Sequence, residues 1–260
     1  MIIATRGGVR LHVEQAGRGP AVLIISGTGG DLRHRPSPLE WPLVQSFGLT
    51  AFDQRGLGRS DRPDGPYTMA DYADDAAAVL DAVGLDRAHV LGVSFGGMVA
   101  QELAIRHPGR IDRLVLACTS SGGPGGSSYP LHEFADLPMD ERAVRLMELS
   151  DTRWDASWRS AHPERAARIL ESFRRPPPDA GGREQLQARS THDAWSALTS
   201  VTIPVLVCAG RYDGIAPLHN SRALADRLPF GDLRVFEGGH LFLAQDPAAF
   251  PEITTFFLRA

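Results

Sequence analysis

Short, mostly apolar runs alternate with helical stretches along this chain, and that alternation limits the fold more than any other feature. The apolar runs are "AVLIISG" (21–27), "LTAFD" (49–53), "AHVLGVS" (88–94), "IDRLVLACTS" (111–120), "IPVLVCAG" (203–210) and "LRVFEGG" (233–239). Between them lie helical patterns over 69–83, 95–107 and 219–228, and a C-terminal helix is expected from Pro247. In the first helix Tyr72, Ala76, Val79, Leu80 and Val83 share one face, and Gly84 ends it. Strands that are apolar on both faces need cover on both faces, so the pattern predicts an α/β fold around a mostly parallel sheet. Alternating residues over 9–13 add an edge strand at the start.

The alternation stops at Gly122. "SSGGPGGSSYP" (120–130) has loop composition, and from there to about residue 198 the sequence is helical, interrupted by "RRPPPDAGG" (174–182). Strands resume after it. This predicts a core of residues 1–121 and 199–260 carrying a helical cap inserted over 122–198.

The chain has 260 residues and a formal net charge of −4, with its 27 lysines and arginines scattered. Nothing in that balance points to nucleic acid or an anionic membrane surface as partner. The N-terminus lacks a basic region followed by an apolar stretch, and no run reaches the ~18 apolar residues of a membrane span. A cytoplasmic protein is expected. Cys118 and Cys208 each end an apolar run and read as small buried hydrophobes, with a disulfide as the alternative.

One stretch carries chemistry. In "GVSFG" (92–96), Ser94 sits between glycines, directly after a strand and before a helix. A serine displayed on such a turn can be a nucleophile, provided a base takes its proton. Of nine histidines, His240 in "EGGHLF" follows a strand, as the site requires, and His192 in "STHDAW" is the competitor. A carboxylate must orient that imidazole. Asp213 in "GRYDGIAP" lies directly after a strand, at the edge where α/β sheets gather their functional groups. An Asp–Gly turn explains the dipeptide but not its place.

With "SGTGG", "DQRGLGRSD", "GVSFGG", "GRYDGIAP" and "GGHLFLAQDP" in this order, the chain resembles the α/β-hydrolase superfamily over nearly its whole length, small lid-bearing esterases and enol-lactonases in particular. The resemblance implies the α/β-hydrolase fold and a triad of Ser94, Asp213 and His240. It also implies an oxyanion hole from the backbone N–H groups of Phe95 and Thr28. Many relatives have His–Gly where this chain has Ser26–Gly27, a change that leaves a backbone donor in place.

The activity implied is hydrolysis of an ester or lactone of a small, mostly apolar acid, with no cofactor and no metal. The same fold also hosts carbon–carbon bond hydrolases, hydroxynitrile lyases, cofactor-free perhydrolases and small-molecule receptors. Trp154, Trp158 and Trp195 in the cap are candidates for the pocket wall or for cap packing, and Phe242 for either role. Met98 and Val99 are expected in the helix–sheet core. Asp53, Arg55, Gly56 and Gly58 lack the helix start and lysine of a phosphate loop and read as a structural tie.

Overall fold

The computed structural model describes residues 2–4 and 7–259. Its eight strands are β1 (Ile2–Ala4), β2 (Arg10–Ala16), β3 (Ala21–Ile25), β4 (Gly48–Phe52), β5 (Ala88–Val93), β6 (Ile111–Ala117), β7 (Val205–Gly210) and β8 (Gly231–Phe236). They form one sheet in the order β1-β2-β4-β3-β5-β6-β7-β8. From β4 to β8 every neighbour is parallel, and only β1–β2 and β2–β4 are antiparallel. The strand expected at the edge, now β2, lies one place inside it, because Ile2–Ala4 pairs along its outer side.

Helices cover both faces. On one face α1 (Met69–Ala82), α2 (Phe95–Arg106) and α7 (Leu218–Arg227) pack Tyr72, Leu80, Met98, Leu103 and Leu224 against Leu23, Val90, Leu114 and Val207. On the other, α8 (Phe242–Gln245) and α9 (Ala249–Phe257) pack Phe242, Ile253, Phe256 and Phe257 against Ile24, Leu91, Val115 and Leu206. The inner strands β3 to β7 read as near-continuous apolar runs because they are largely buried on both sides. Thr68 opens α1 with a capping box completed by Asp71. The C-terminal helix begins at Ala249, two residues later than expected, because the Asp246 carboxylate first accepts the N–H groups of Ala248 and Glu237.

The segment between β6 and β7 holds α3 (Met139–Ser150), α4 (Ala156–Ala161), α5 (Pro163–Phe173) and α6 (Ala180–Ser190). The proline run separates α5 from α6, and the Asp179 carboxylate restarts the chain by accepting the Gly182 N–H at 2.9 Å. Among the described residues, no helix is long and apolar enough to cross a membrane. Cys118 and Cys208 are both buried and unbridged.

The loop after β4 is a tie between layers. Asp53 accepts the N–H groups of Leu32 at 2.7 Å and Arg59 at 2.9 Å, and Gln54 Nε2 donates to Ser26 O at 2.7 Å. Arg55 makes a two-point pair with Asp75 of α1 at 2.7 and 2.8 Å, with both side chains buried. Removing Asp75 leaves the buried Arg55 charge with only a 3.4 Å contact to the exposed Asp71 carboxylate. Asp75→Ala is therefore expected to lower unfolding stability by about 3 kcal/mol, measured by urea denaturation.

Candidate active site

Each candidate residue sits just past the C-terminal end of a parallel strand. Ser94 follows β5, Asp213 follows β7, His240 follows β8, and the Ser26–Gly30 loop follows β3. Ser94 has φ 55° and ψ −116°. Such angles cost a non-glycine residue about 1–3 kcal/mol and persist only where the surroundings enforce them. Here the Ser94 N–H donates to Ala117 O at 2.8 Å, and its carbonyl accepts the Gly97 N–H at 2.9 Å and the Thr119 hydroxyl at 2.8 Å. The flanking glycines are required by space. A Cβ on Gly92 would lie 2.8 Å from Ala100 Cβ, and one on Gly96 would overlap the Ile25 carbonyl of β3.

The three side chains meet. His240 Nδ1 is 2.8 Å from Asp213 Oδ2, and His240 Nε2 is 2.9 Å from Ser94 Oγ. An ionised Asp213 can only accept, so the proton belongs on Nδ1 and Nε2 is left to accept from the serine hydroxyl. The other carboxylate oxygen of Asp213 accepts the N–H groups of Ile215 and Ala216, each at 2.8 Å. The acid is thereby fixed in place and fully solvated by protein donors.

The end of α3 clamps these loops. Ser150 O accepts the His240 N–H at 2.5 Å, Leu149 O accepts the Gly214 N–H at 2.9 Å, and the Thr152 N–H donates to Tyr212 O at 2.9 Å. Gln245 accepts the Gly239 N–H at 2.8 Å and donates to the buried Asp151 carboxylate at 3.0 Å. The segment between β6 and β7 thus holds the loops that carry His240 and Asp213. Asp151 and Gln245 carry no signal in the sequence, since their partners are far away along the chain.

The two backbone N–H groups expected to act as donors belong to Phe95, next to Ser94, and to Thr28 in the loop after β3. Phe95 is the first residue of α2, where the helix dipole is positive and N–H groups have no helical acceptor. The Ser26–Gly30 loop passes close by, and a Cβ on Gly27 would sit 3.4 Å from Ser94 Cβ. Among the described residues, neither the Phe95 nor the Thr28 N–H has an acceptor within the protein. Cys118 also stands near, at φ 44°. Burial, and then the Asp213 carboxylate, push its thiol well above its ordinary pKa, so it remains protonated and is no rival nucleophile.

The residues nominated for a pocket wall lie elsewhere. Trp154 and Trp158 pack together, with ring centroids 6.2 Å apart, around Met147 and Ala166 in a small core within the cap. Trp195 lies under the Arg227 guanidinium at 5.2 Å, and Phe242 stacks on Phe236 at 5.0 Å. A cavity of about 560 Å³ opens instead between cap and core, beside Thr28, Gly29, Leu57, Phe134, Leu146 and Leu186. A smaller one of about 260 Å³ touches Met98, Gly122, Arg189 and His192. His192 makes no hydrogen bond to Ser94; that place belongs to His240.

Both cavities border α6. Its buried side carries Gln185 and Arg189, and His192 continues the same line just past its end. The three are spaced i, i+4 and i+7, one side of a helix, but polar residues at that spacing ordinarily mark the solvent face. Gln185 accepts the Gly29 N–H at 2.8 Å and so ties α6 to the Ser26–Gly30 loop. Among the described residues, no group of three or more His, Cys, Asp or Glu side chains is placed to hold a metal ion.

Comparison with known proteins gives a consistent class. A family model described as the alpha/beta hydrolase fold matches residues 20–247. The 2-hydroxymuconate semialdehyde hydrolase of Pseudomonas putida is 31% identical over 271 residues, covering 96% of this chain and 91% of that protein. The enol-lactonase from Burkholderia xenovorans LB400 superimposes with a TM-score of 0.81 at 25% identity, covering 99% of both chains. Est816, described as an N-acyl homoserine lactone degrading enzyme, matches with a TM-score of 0.77 at 27% identity, covering 99% of this chain and 100% of its own.

Proposed function

The chain belongs to the α/β-hydrolase family, and on that premise we propose that it is a serine hydrolase of a small carboxylic ester or lactone. The observation that carries this reading is the unbroken contact from Ser94 Oγ through His240 to Asp213, beside two backbone N–H groups that have no acceptor among the described residues.

The chemistry follows from the geometry. Ser94 Oγ attacks the acyl carbon while its proton passes to His240 Nε2. The imidazolium that forms is stabilised by Asp213, whose other oxygen is already held by two backbone donors. The carbonyl oxygen, now negative, is held by the Phe95 and Thr28 N–H groups at the positive end of α2. His240 then gives its proton to the departing alkoxide; in a lactone that oxygen stays attached to the acyl chain. Water next occupies the vacated position, loses a proton to Nε2, and attacks the acyl-enzyme. The acid leaves and Ser94 recovers its proton. No step needs a cofactor, and the small molecule would bind in the cavity under the cap.

The proposal is tested by nitrophenol release from acetyl, butyryl and octanoyl esters. His240→Gln should lower kcat by about 10²–10⁴-fold, the usual contribution of a positioned acid–base group. Turnover by the wild type that His240→Gln leaves unchanged would overturn the assignment.

A second reading has one observation in its favour. The Pseudomonas putida relative named above is called a hydrolase of 2-hydroxymuconate semialdehyde, and the same triad serves carbon–carbon cleavage in this fold. That compound belongs in the same assay. A kcat/KM for it above that of every ester would replace the ester or lactone reading.

A further inference from the structure

We propose that Gln185 is a positioning residue for the Thr28 donor: from α6 it holds the peptide between Thr28 and Gly29 in one of the two orientations open to it. The proposal rests on the hydrolase reading above and adds to it the side chain that keeps the loop after β3 ready for reaction.

The first observation is a turn. The Gly30 N–H donates to Gly27 O at 3.1 Å and closes a four-residue turn over 27–30. Thr28 keeps a negative φ and Gly29 has φ 68°, the signs of a type II turn. A type I turn closes with the same bond but has its central peptide, here Thr28–Gly29, flipped over. Packing around Gly29 does not choose between them, because Gly29 is exposed and a Cβ there would meet nothing within 4 Å. The choice falls to Gln185, whose Oε1 accepts the Gly29 N–H at 2.8 Å. In the flipped turn the Thr28 carbonyl would replace that N–H, and two acceptors would face each other.

The second observation is Gln185 itself. It is fully buried, yet its Nε2 has no partner among the described residues. An amide buried with its donors unpaired costs stability, and an apolar side chain would fill the same place without that cost. What the amide supplies is an acceptor for Gly29. Its support is fixed, since α6 is docked on the core just before Gln185. A Cβ on Gly181 would overlap the Gly56 carbonyl, and Glu184 Oε2 accepts the Tyr67 N–H at 3.1 Å.

The third observation is how the rest of the loop is held. Gln54 Nε2 donates to Ser26 O at 2.7 Å, and the Gly27 carbonyl is taken by Gly30. The Thr28 N–H belongs to the peptide between Gly27 and Thr28, so the bond to Gly30 aims it only while the turn keeps its form. A backbone donor stabilises an oxyanion because its direction is set before the charge develops. Without Gln185 the turn exchanges between two forms, and the transition state must restore the productive one.

The test uses 4-nitrophenyl butyrate. Gln185→Leu removes the acceptor at similar volume and should lower kcat by about 10–10²-fold, less than the roughly 10²–10³-fold of deleting a donor outright. KM should stay close to the wild-type value, because the ground-state ester does not depend on that donor. Butaneboronic acid, whose boron takes Ser94 Oγ to form a tetrahedral adduct, should bind this variant more weakly by about the factor lost in kcat/KM. A folded Gln185→Leu with wild-type kcat, a change in KM alone, or unchanged boronate inhibition beside a lower kcat overturns the proposal and leaves the hydrolase reading standing. Hydrolysis of no ester by folded wild type overturns that reading, and the proposal with it.

A second variant leaves Gln185 in place. Gly29→Ala adds a Cβ in open space, but alanine disfavours a left-handed φ and so pushes the same peptide toward the flipped turn. It should also lower kcat with KM near the wild-type value. In the double variant the two losses should fall short of multiplying, because both release one peptide. A Gly29→Ala kcat equal to wild type, or losses that multiply in full, would contradict the proposal.

Discussion

Alanine in place of Ser94 lowers kcat for ester hydrolysis by about 10⁴-fold or more and leaves the fold intact. The size of the loss follows from the way a triad works: removing the nucleophile leaves only the oxyanion donors and substrate binding to act on water. Retention of the fold follows from the local contacts. The bonds that hold the elbow use the Ser94 N–H and carbonyl, which alanine keeps. The hydroxyl contributes only its contact with His240. The expected result is a variant with a wild-type urea midpoint whose only remaining turnover is the slow direct attack of water that the backbone donors and substrate binding still assist. Activity within tenfold of wild type would remove Ser94 from the mechanism.

Gly96→Ala has the largest expected effect on stability, more than about 4 kcal/mol. The added Cβ would overlap the Ile25 carbonyl and approach Ser26 O to 2.6 Å. The Ile25 carbonyl is the last of β3, which is hydrogen-bonded to β4 on one side and β5 on the other, and Ser26 O just beyond it is held by Gln54 Nε2 at 2.7 Å. A backbone held by two neighbours cannot step aside without breaking the ladder, so the overlap is not relieved by a side-chain rotation. Gly84→Ala is the comparison. Gly84 ends α1 at φ 74° with nothing within 4 Å of its Cβ position, so it meets only the strain of a left-handed residue, about 1 kcal/mol. Urea midpoints of the two variants should differ accordingly; equal losses would show that the contact with β3 is not what the glycine serves.

The sheet was readable because the inner parallel strands β3 to β7 are largely buried on both faces, so each is a plain apolar run with a glycine or loop after it, whereas β8 at the edge is only partly buried. Ser94, Asp213 and His240 were readable for a related reason. Each lies directly after such a run, and the fold brings those ends to one edge. The cap was legible only as a helical insertion. Its helices are short, and Trp154 and Trp158 look the same in sequence whether they wall a cavity or pack on each other, as they do. Arg189 was invisible because arginine in a helix usually faces water, and only tertiary packing shows that this one does not. The Asp151–Gln245 clamp is 94 residues apart in sequence and has no local signature.

The most direct test of Ser94 as an activated nucleophile is covalent labelling with a fluorophosphonate, read by intact mass and peptide mapping. The reagent bonds to a serine oxygen whose proton is removed by a neighbouring base, with loss of fluoride. One equivalent per chain, located on the peptide that contains Ser94 and absent in His240→Gln, is the result expected. A folded protein that takes up no label, or takes it up at another residue, would contradict the central claim.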